Sequence, residues 1–272
     1  MVAEVEGGAN GLQFEEGEGM KKGKAKPECR NSVNPVNRSF QPVVLPSGCN
    51  SFSVLQMPAS ETYDWILKKH YARRIPSISW AFGLYDSDFV LQGVCTFGTP
   101  ASSTLLKGVC GVDWAQHVCE LNRLVINEIG MKNLASFFVS RCISLLPTPK
   151  IIVSYADSSK GHHGFVYQAT NFIYTGLSIL TYDPVVKGHE GKHHATSGMG
   201  RGMTKDQMVA KYGNDVYWKP RNRKHRYVFF HGTKKQKLQM KKDLRYEAVS
   251  YPKGQNMRYD ATYIPQTQGV LL

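Results

Sequence analysis

The sequence predicts an α/β fold in which a mixed, mostly antiparallel sheet is flanked by helices. Two observations predict it. Short β-rich runs alternate with stretches whose apolar side chains recur at helical spacing, and the two kinds follow one another in the order β α β β β α β α β. A chain of 272 residues with 42% hydrophobic content can bury one sizeable core.

Residues 1–40 are dominated by Gly, Glu, Lys, Asn and Pro with few apolar side chains, and a disordered arm is expected there. Residues 41–186 are expected to form the core, and residues 187–272 a basic extension that completes the domain. Within the core, residues 51–57 alternate like a strand and Pro58 and Ser60 stop it. Tyr63, Ile66, Leu67 and His70 then recur at helical spacing, so a helix ending at His70 is expected. Residues 78–85 and 89–97, separated by Asp86, Ser87 and Asp88, read as a hairpin, with 118–126 as a neighbouring strand. A loop over 127–132 leads into Leu134, Phe137, Phe138, Cys142, Leu145 and Leu146, which share one helical face before Pro147 and Pro149 end it. A strand over 150–156, a short helix over 161–170 and a strand over 172–176 follow. In the last third, 204–212 reads as a capped helix and 225–231 as a strand with alternating aromatics. The pattern leaves the conformation of 234–242 open.

Charge narrows the partners. The chain carries 34 Lys and Arg against 21 Asp and Glu, and residues 187–272 alone hold 18 against 6, nearly the whole excess of +13. Polyanions are the expected partners, and Trp218, Tyr227, Phe229 and Phe230 interleave with the cations as in nucleic-acid binders. Lys219, Arg221, Arg223, Lys224 and Arg226 are the candidate DNA contacts, although the same run also fits a solvated face. No stretch is apolar enough for a membrane span and no secretory signal is read. Six scattered cysteines (Cys29, Cys49, Cys95, Cys110, Cys119, Cys142) without a C-x-x-C pair read as reduced thiols in a cytoplasm. The histidine-rich stretches at 161–164 and 189–194 raise iron or zinc, yet no spacing completes a known site, so no metal ligand is assigned.

Two junctions resemble the GCN5-related N-acetyltransferase fold. The first is Glu120-Leu-Asn-Arg-Leu-Val-Ile126 followed by Gly130-Met-Lys-Asn-Leu-Ala-Ser136, and the second is the run from Ser154 through Tyr167 to Phe172. In that family the first junction holds a coenzyme A pyrophosphate on backbone N–H groups at a helix N-terminus. The resemblance therefore implies donor contacts from Val125, Lys132, Asn133, Leu134, Ala135 and Ser136. The donor is an acyl-coenzyme A or, since only Gly130 and Ala135 supply small residues here, another activated acyl compound. At the second junction the resemblance makes Tyr167 the acid that protonates the leaving thiolate.

The sequence is more closely similar to the Mom family of bacteriophage DNA-modification proteins. The residues that carry this are His70-Tyr71, Glu120-Leu-Asn-Arg123, Ser136, the 157–167 segment and Arg223-Lys-His-Arg-Tyr-Val-Phe229. The resemblance implies transfer of an acetamide-type group to the exocyclic amine of adenine, which shields phage DNA from restriction enzymes in the host cytoplasm. That amine is a poor nucleophile, so Asp157 is the expected base. Arg123 is the expected holder of an anion or oxyanion. His70 and Tyr71 are expected to stack on or hydrogen-bond the target base, which must be flipped out of a duplex or presented single-stranded to reach them.

Each residue also has a plainer reading. Asp157 can cap the following helix, Tyr167 can be a core aromatic, Arg123 can pair with Glu120, and His70 can simply end a helix. Two other functions fit the same residues: an acyltransferase acting on RNA or protein amines, and a catalytically inactive nucleic-acid-binding protein. The oligomeric state is left open.

Overall fold

The computed structural model describes residues 51–190 and 202–255. The expected arm at 1–40 lies outside the described residues, as does most of the histidine-rich stretch at 189–194.

Seven strands form the main sheet: β1 (Ser53–Gln56), β2 (Trp80–Tyr85), β3 (Leu91–Gly98), β4 (Val118–Ile126), β5 (Lys150–Asp157), β6 (Ile173–Leu177) and β9 (Lys224–His231). Their spatial order is β1-β2-β3-β4-β5-β9-β6, and every pair is antiparallel except β4 with β5. The mixed, mostly antiparallel sheet expected from the sequence is therefore present. Two further strands, β7 (Tyr182–Val186) and β8 (Val216–Pro220), form a separate antiparallel ribbon that alternation did not reveal.

Among the described residues five α-helices accompany the strands: α1 (Ser103–Gly108), α2 (Leu134–Leu145), α3 (Phe165–Ala169), α4 (Lys205–Tyr212) and α5 (Lys234–Lys242). Helix α2 lays Leu134, Phe138, Val139, Cys142 and Ile143 on one sheet face, where they meet Phe82, Phe97, Leu121, Ile152 and Tyr227. The other face is covered in two places. Met240 of α5 packs with Val118, Ile151, Val153 and Val228, while Trp65 packs with Met57, Leu91 and Val125. The basic segment at 234–242 is helical because Thr233 and Gln236 form a reciprocal capping box at its start. Thr204 and Gln207 make the same box for α4, as the sequence predicts.

The first expected helix differs in kind. It is a 3-10 turn (Ala59–Thr62) followed by a π-helical turn (Trp65–Lys69), closed by the His70 N–H donating to the Trp65 carbonyl at 3.1 Å. Cys95, Cys110, Cys119 and Cys142 are free and buried. Among the described residues no helix is long and apolar enough to cross a membrane.

Candidate active site

Strands β4 and β5 pair only over Val118–Leu121 against Ile151–Ser154, yet β4 continues to Ile126 and β5 to Asp157. Beyond Leu121 and Ser154 the two strands part, and a cavity of about 290 Å³ opens between them. Parallel strands joined through a helix have nothing in the ladder that forces them to stay paired to their ends. The separation exposes backbone groups that need another partner.

A β-bulge sets which side chains enter this gap. Along β4 the register steps from Arg123 opposite Thr96 to Leu121 opposite Phe97, so Asn122 is one residue more than β3 can match. Asn122 is tied down by accepting from Thr96 Oγ1 at 2.6 Å and donating to the Ser77 carbonyl at 2.8 Å. The extra residue reverses the alternation. Cys119 and Leu121 share a face with Leu124 and Ile126, and Glu120 shares the opposite face with Arg123. The cavity therefore has two walls. Leu121, Leu124, Ile126, Ala135, Ala156, Val166 and Tyr167 make an apolar one, and His70, Tyr71, Glu120, Arg123, Tyr155, His162 and Lys224 a polar one.

The polar wall is held by neighbours. Arg123 donates from Nε and Nη2 to the Arg74 carbonyl at 3.2 and 2.8 Å and from Nη1 to the Asn122 carbonyl at 2.5 Å. Three of its five N–H groups are used, which leaves two for a ligand. His70 stacks on Tyr71 at 4.4 Å, and Tyr71 meets the His162 ring edge-on at 5.4 Å. Nδ1 of His70 accepts from the Ala72 N–H at 3.0 Å. Burial, with the charges of Arg123, His162 and Lys224, lowers the His70 pKa to about 3, so the ring is neutral. Burial pushes the Glu120 carboxyl above its ordinary range against the pull of Lys224, Arg123 and Arg74, and so moves it toward the range of a working base.

Tyr167 occupies the apolar wall beside Ser154, and burial raises its pKa, so the hydroxyl stays protonated. Its position depends on Gly164, which precedes α3 at φ 73° and where a Cβ would run into the Tyr227 ring. The Tyr227 hydroxyl donates to the His163 carbonyl and fastens the same turn.

The structure thus brings His70, Tyr71, Arg123, Ala135, Tyr167 and Lys224 to one cavity. Other expected residues are placed differently. Asp157 accepts from Ser159 N–H at 3.0 Å and Ser159 Oγ at 2.7 Å, capping the turn after β5, and reaches the cavity only as a charge near Tyr71 and His162. Val125 and Leu134 are core side chains, in the Trp65 and α2 clusters respectively, because strand and helix turn them inward. Lys132 and Asn133 are exposed in the loop before α2. Asn133 begins α2 in a left-handed conformation without a side-chain cap bond, and Ser136 Oγ donates to the Asn133 carbonyl at 2.9 Å. The first N–H groups of α2 consequently have no side-chain acceptor, which suits an anion.

The candidate DNA contacts are also divided. Arg226 lies 3.4 Å over the Tyr246 ring and donates to Thr175 Oγ1 at 2.9 Å and the Thr175 carbonyl at 3.1 Å, so it is a structural residue of the sheet. Arg221 grips Asp183 with Nε at 3.1 Å and Nη2 at 2.7 Å. Arg223 donates to the Ser178 and Leu177 carbonyls, and Lys219 is exposed on β8. Among the described residues no group of three or more His, Cys, Asp or Glu is placed to hold a metal ion, so the iron allowed by the histidine-rich stretches finds no ligand set there.

On the polar wall, Glu120, Tyr155 and His162 are residues to which sequence reasoning assigned no catalytic role. A signal for Glu120 was present: apolar residues at 119 and 121 resume at 124 and 126, a phase break that marks the bulge.

The profile of the Mom protein family matches residues 51–253 of this chain. No curated protein matches it. Among solved structures it is similar to a spermidine N-acetyltransferase mutant from Vibrio cholerae, with 10% identity, TM-score 0.37, and coverage of 66% of this chain and 94% of that one. It is also similar to an acetyltransferase of the GNAT family from Bacillus cereus, with 12% identity, TM-score 0.34, and coverage of 67% and 99%. A third is yncA from Salmonella typhimurium, in a structure with acetyl-CoA, with 11% identity, TM-score 0.36, and coverage of 68% and 98%.

Proposed function

Because this chain belongs to the Mom protein family, we propose that it transfers a small acyl-derived group from an activated donor such as an acyl-coenzyme A to the exocyclic amine of adenine in phage DNA. The observation that carries the reading is the two-walled cavity where β4 and β5 part, with a protonated tyrosine on one side and a half-buried carboxylate beside an arginine on the other.

Each wall has a chemical task. The apolar wall suits the acyl arm of the donor, and the uncapped start of α2 suits its phosphates. Glu120 takes a proton from the amine as its nitrogen bonds to the acyl carbon. The two remaining N–H groups of Arg123 stabilise the oxygen that becomes negative. When the carbon–sulfur bond breaks, Tyr167 gives its proton to the departing thiolate. Glu120 replaces Asp157 as the base in this scheme, since Asp157 is committed to its turn. His70 and Tyr71 offer aromatic faces to the adenine ring, which enters after leaving the duplex.

The experiment is mass spectrometry of nucleosides from the DNA and RNA of cells expressing the full chain or its Tyr167→Phe variant. A heavier deoxyadenosine with the wild type and not with the variant is expected. The heavier nucleoside appearing only in RNA overturns the choice of DNA, and unchanged nucleosides in both pools overturn base modification.

A further inference from the structure

Ile179 is 80% exposed, more than any other large hydrophobic residue described, and Leu180 beside it is 47% exposed. The backbone that carries them is fixed. Ser178 N–H donates to the Lys224 carbonyl at 2.8 Å, Lys224 N–H to Ser178 Oγ at 3.0 Å, and Arg221 N–H to the Thr181 carbonyl at 2.7 Å. The Arg223 guanidinium adds a bond of 2.7 Å to the Ser178 carbonyl. These bonds bracket Ile179 and Leu180 on both sides. The result is an aliphatic tip on a rigid stem, flanked by the exposed cations Arg221 and Arg223. Lys224, which holds Ser178, also lines the cavity.

We propose that Ile179, supported by Leu180, is a wedge that enters a DNA duplex at the step from which the target base is extruded, while Arg223, whose partners are neutral carbonyls, and Arg221, on exchanging Asp183 for a phosphate, hold the backbone on either side. This rests on the reading of the cavity as a DNA-modifying site and names how the base reaches it. Unstacking a base costs a few kcal/mol, and proteins that do so insert an apolar side chain between base steps beside phosphate-binding cations. A tip of aliphatic surface alone has no preference for DNA. The flanking positive charge selects the polyanion, and the 2.8 Å backbone bond from Ser178 ties the base of the tip to Lys224, a residue that lines the cavity that must receive the base.

The test uses the full chain and two matched sets of duplex and single strand: one with 2-aminopurine at the target position, which reports unstacking by fluorescence, and one with the natural adenine there, whose 6-amine can be modified. On binding wild-type protein, the fluorescence of 2-aminopurine in the duplex is expected to rise as the base unstacks. Ile179→Ser removes no core contact. It is expected to cut that rise severalfold and to lower the ratio of duplex to single-strand modification by about tenfold, the equivalent of part of an unstacking cost. Ile179→Phe is expected to restore both. A wild-type rise and ratio in Ile179→Ser overturns the wedge. Failure of the underlying reading is seen separately, as wild-type protein that modifies neither duplex nor single strand, and it removes the wedge as well.

Discussion

Strand β5 has two different edges. Against β9 it pairs along its whole length, from Lys150 with His231 to Asp157 with Lys224. Against β4 it pairs over four residues and then parts from it. The closed edge is dressed with Val153, Val228, Ser154 and Tyr227 and belongs to the core. The open edge is dressed with Arg123 and Tyr155 beyond the ladder and with Glu120 just before its end, groups that a closed sheet of this kind would have to bury at a cost. One strand therefore contributes stability on one side and a reaction chamber on the other. The difference lies in where the hydrogen-bond ladder stops.

If that division is right, substitutions on the two edges fail in opposite ways. Glu120→Gln at the open edge is expected to slow modification by about 10²- to 10⁴-fold, the usual worth of a positioned base. Its unfolding midpoint in urea should stay level or rise, because a half-buried charge has been removed; a large fall would make Glu120 a structural residue and erase the contrast. Tyr227→Ala at the closed edge is expected to cost about 3 to 5 kcal/mol of stability, since this ring is fully buried between Tyr167 and Tyr174. Equilibrium unfolding measures it, and a loss below about 1 kcal/mol would mean that this edge is not the anchor.

Between the two edges, His70 gives a pH test. Its native pKa of about 3 lies below the ordinary 6.5. As pH falls from 6.5 toward 3, the unfolded chain takes up a proton that the native chain refuses. Stability present in full above pH 6.5 is then lost across that window, by up to about 1.4 kcal/mol per pH unit. His70→Asn should flatten this part of the stability profile, and an unchanged profile would place the titration elsewhere. The smallest effect is expected from Asp157→Ala, about 1 kcal/mol of stability for a lost cap. A loss of modification as deep as that of Glu120→Gln would return the role of base to Asp157.

Much of this architecture is legible in the residues one stretch at a time. The hairpin of β2 and β3, the apolar face of α2 and the cap of α4 all follow from local spacing and turn chemistry. The site was legible in part. His70, Tyr71, Arg123 and Tyr167 were named as site residues through the family resemblance, and they line the cavity. Glu120 was not, because a strand read without its bulge puts Glu120 and Arg123 on opposite faces. The Thr233 and Gln236 capping box was available in the sequence, yet the density of lysines around it concealed a helix.

By itself the sequence determined most strands of the main sheet, helices α2 and α4, the excess of positive charge in the last third and part of the set of residues from which a site could be built. Only the tertiary structure decided how they were used. It threads β9, taken from the basic third, between β5 and β6, which turns Arg226 into a structural residue and Lys224 into a cavity residue. It inserts Asn122 as a bulge, and it stops the β4–β5 ladder at Leu121 and Ser154. The physical reason is range. Helical and strand periodicity reports on neighbours a few residues apart, whereas strand order, register and the end of a ladder depend on partners brought together from distant parts of the chain.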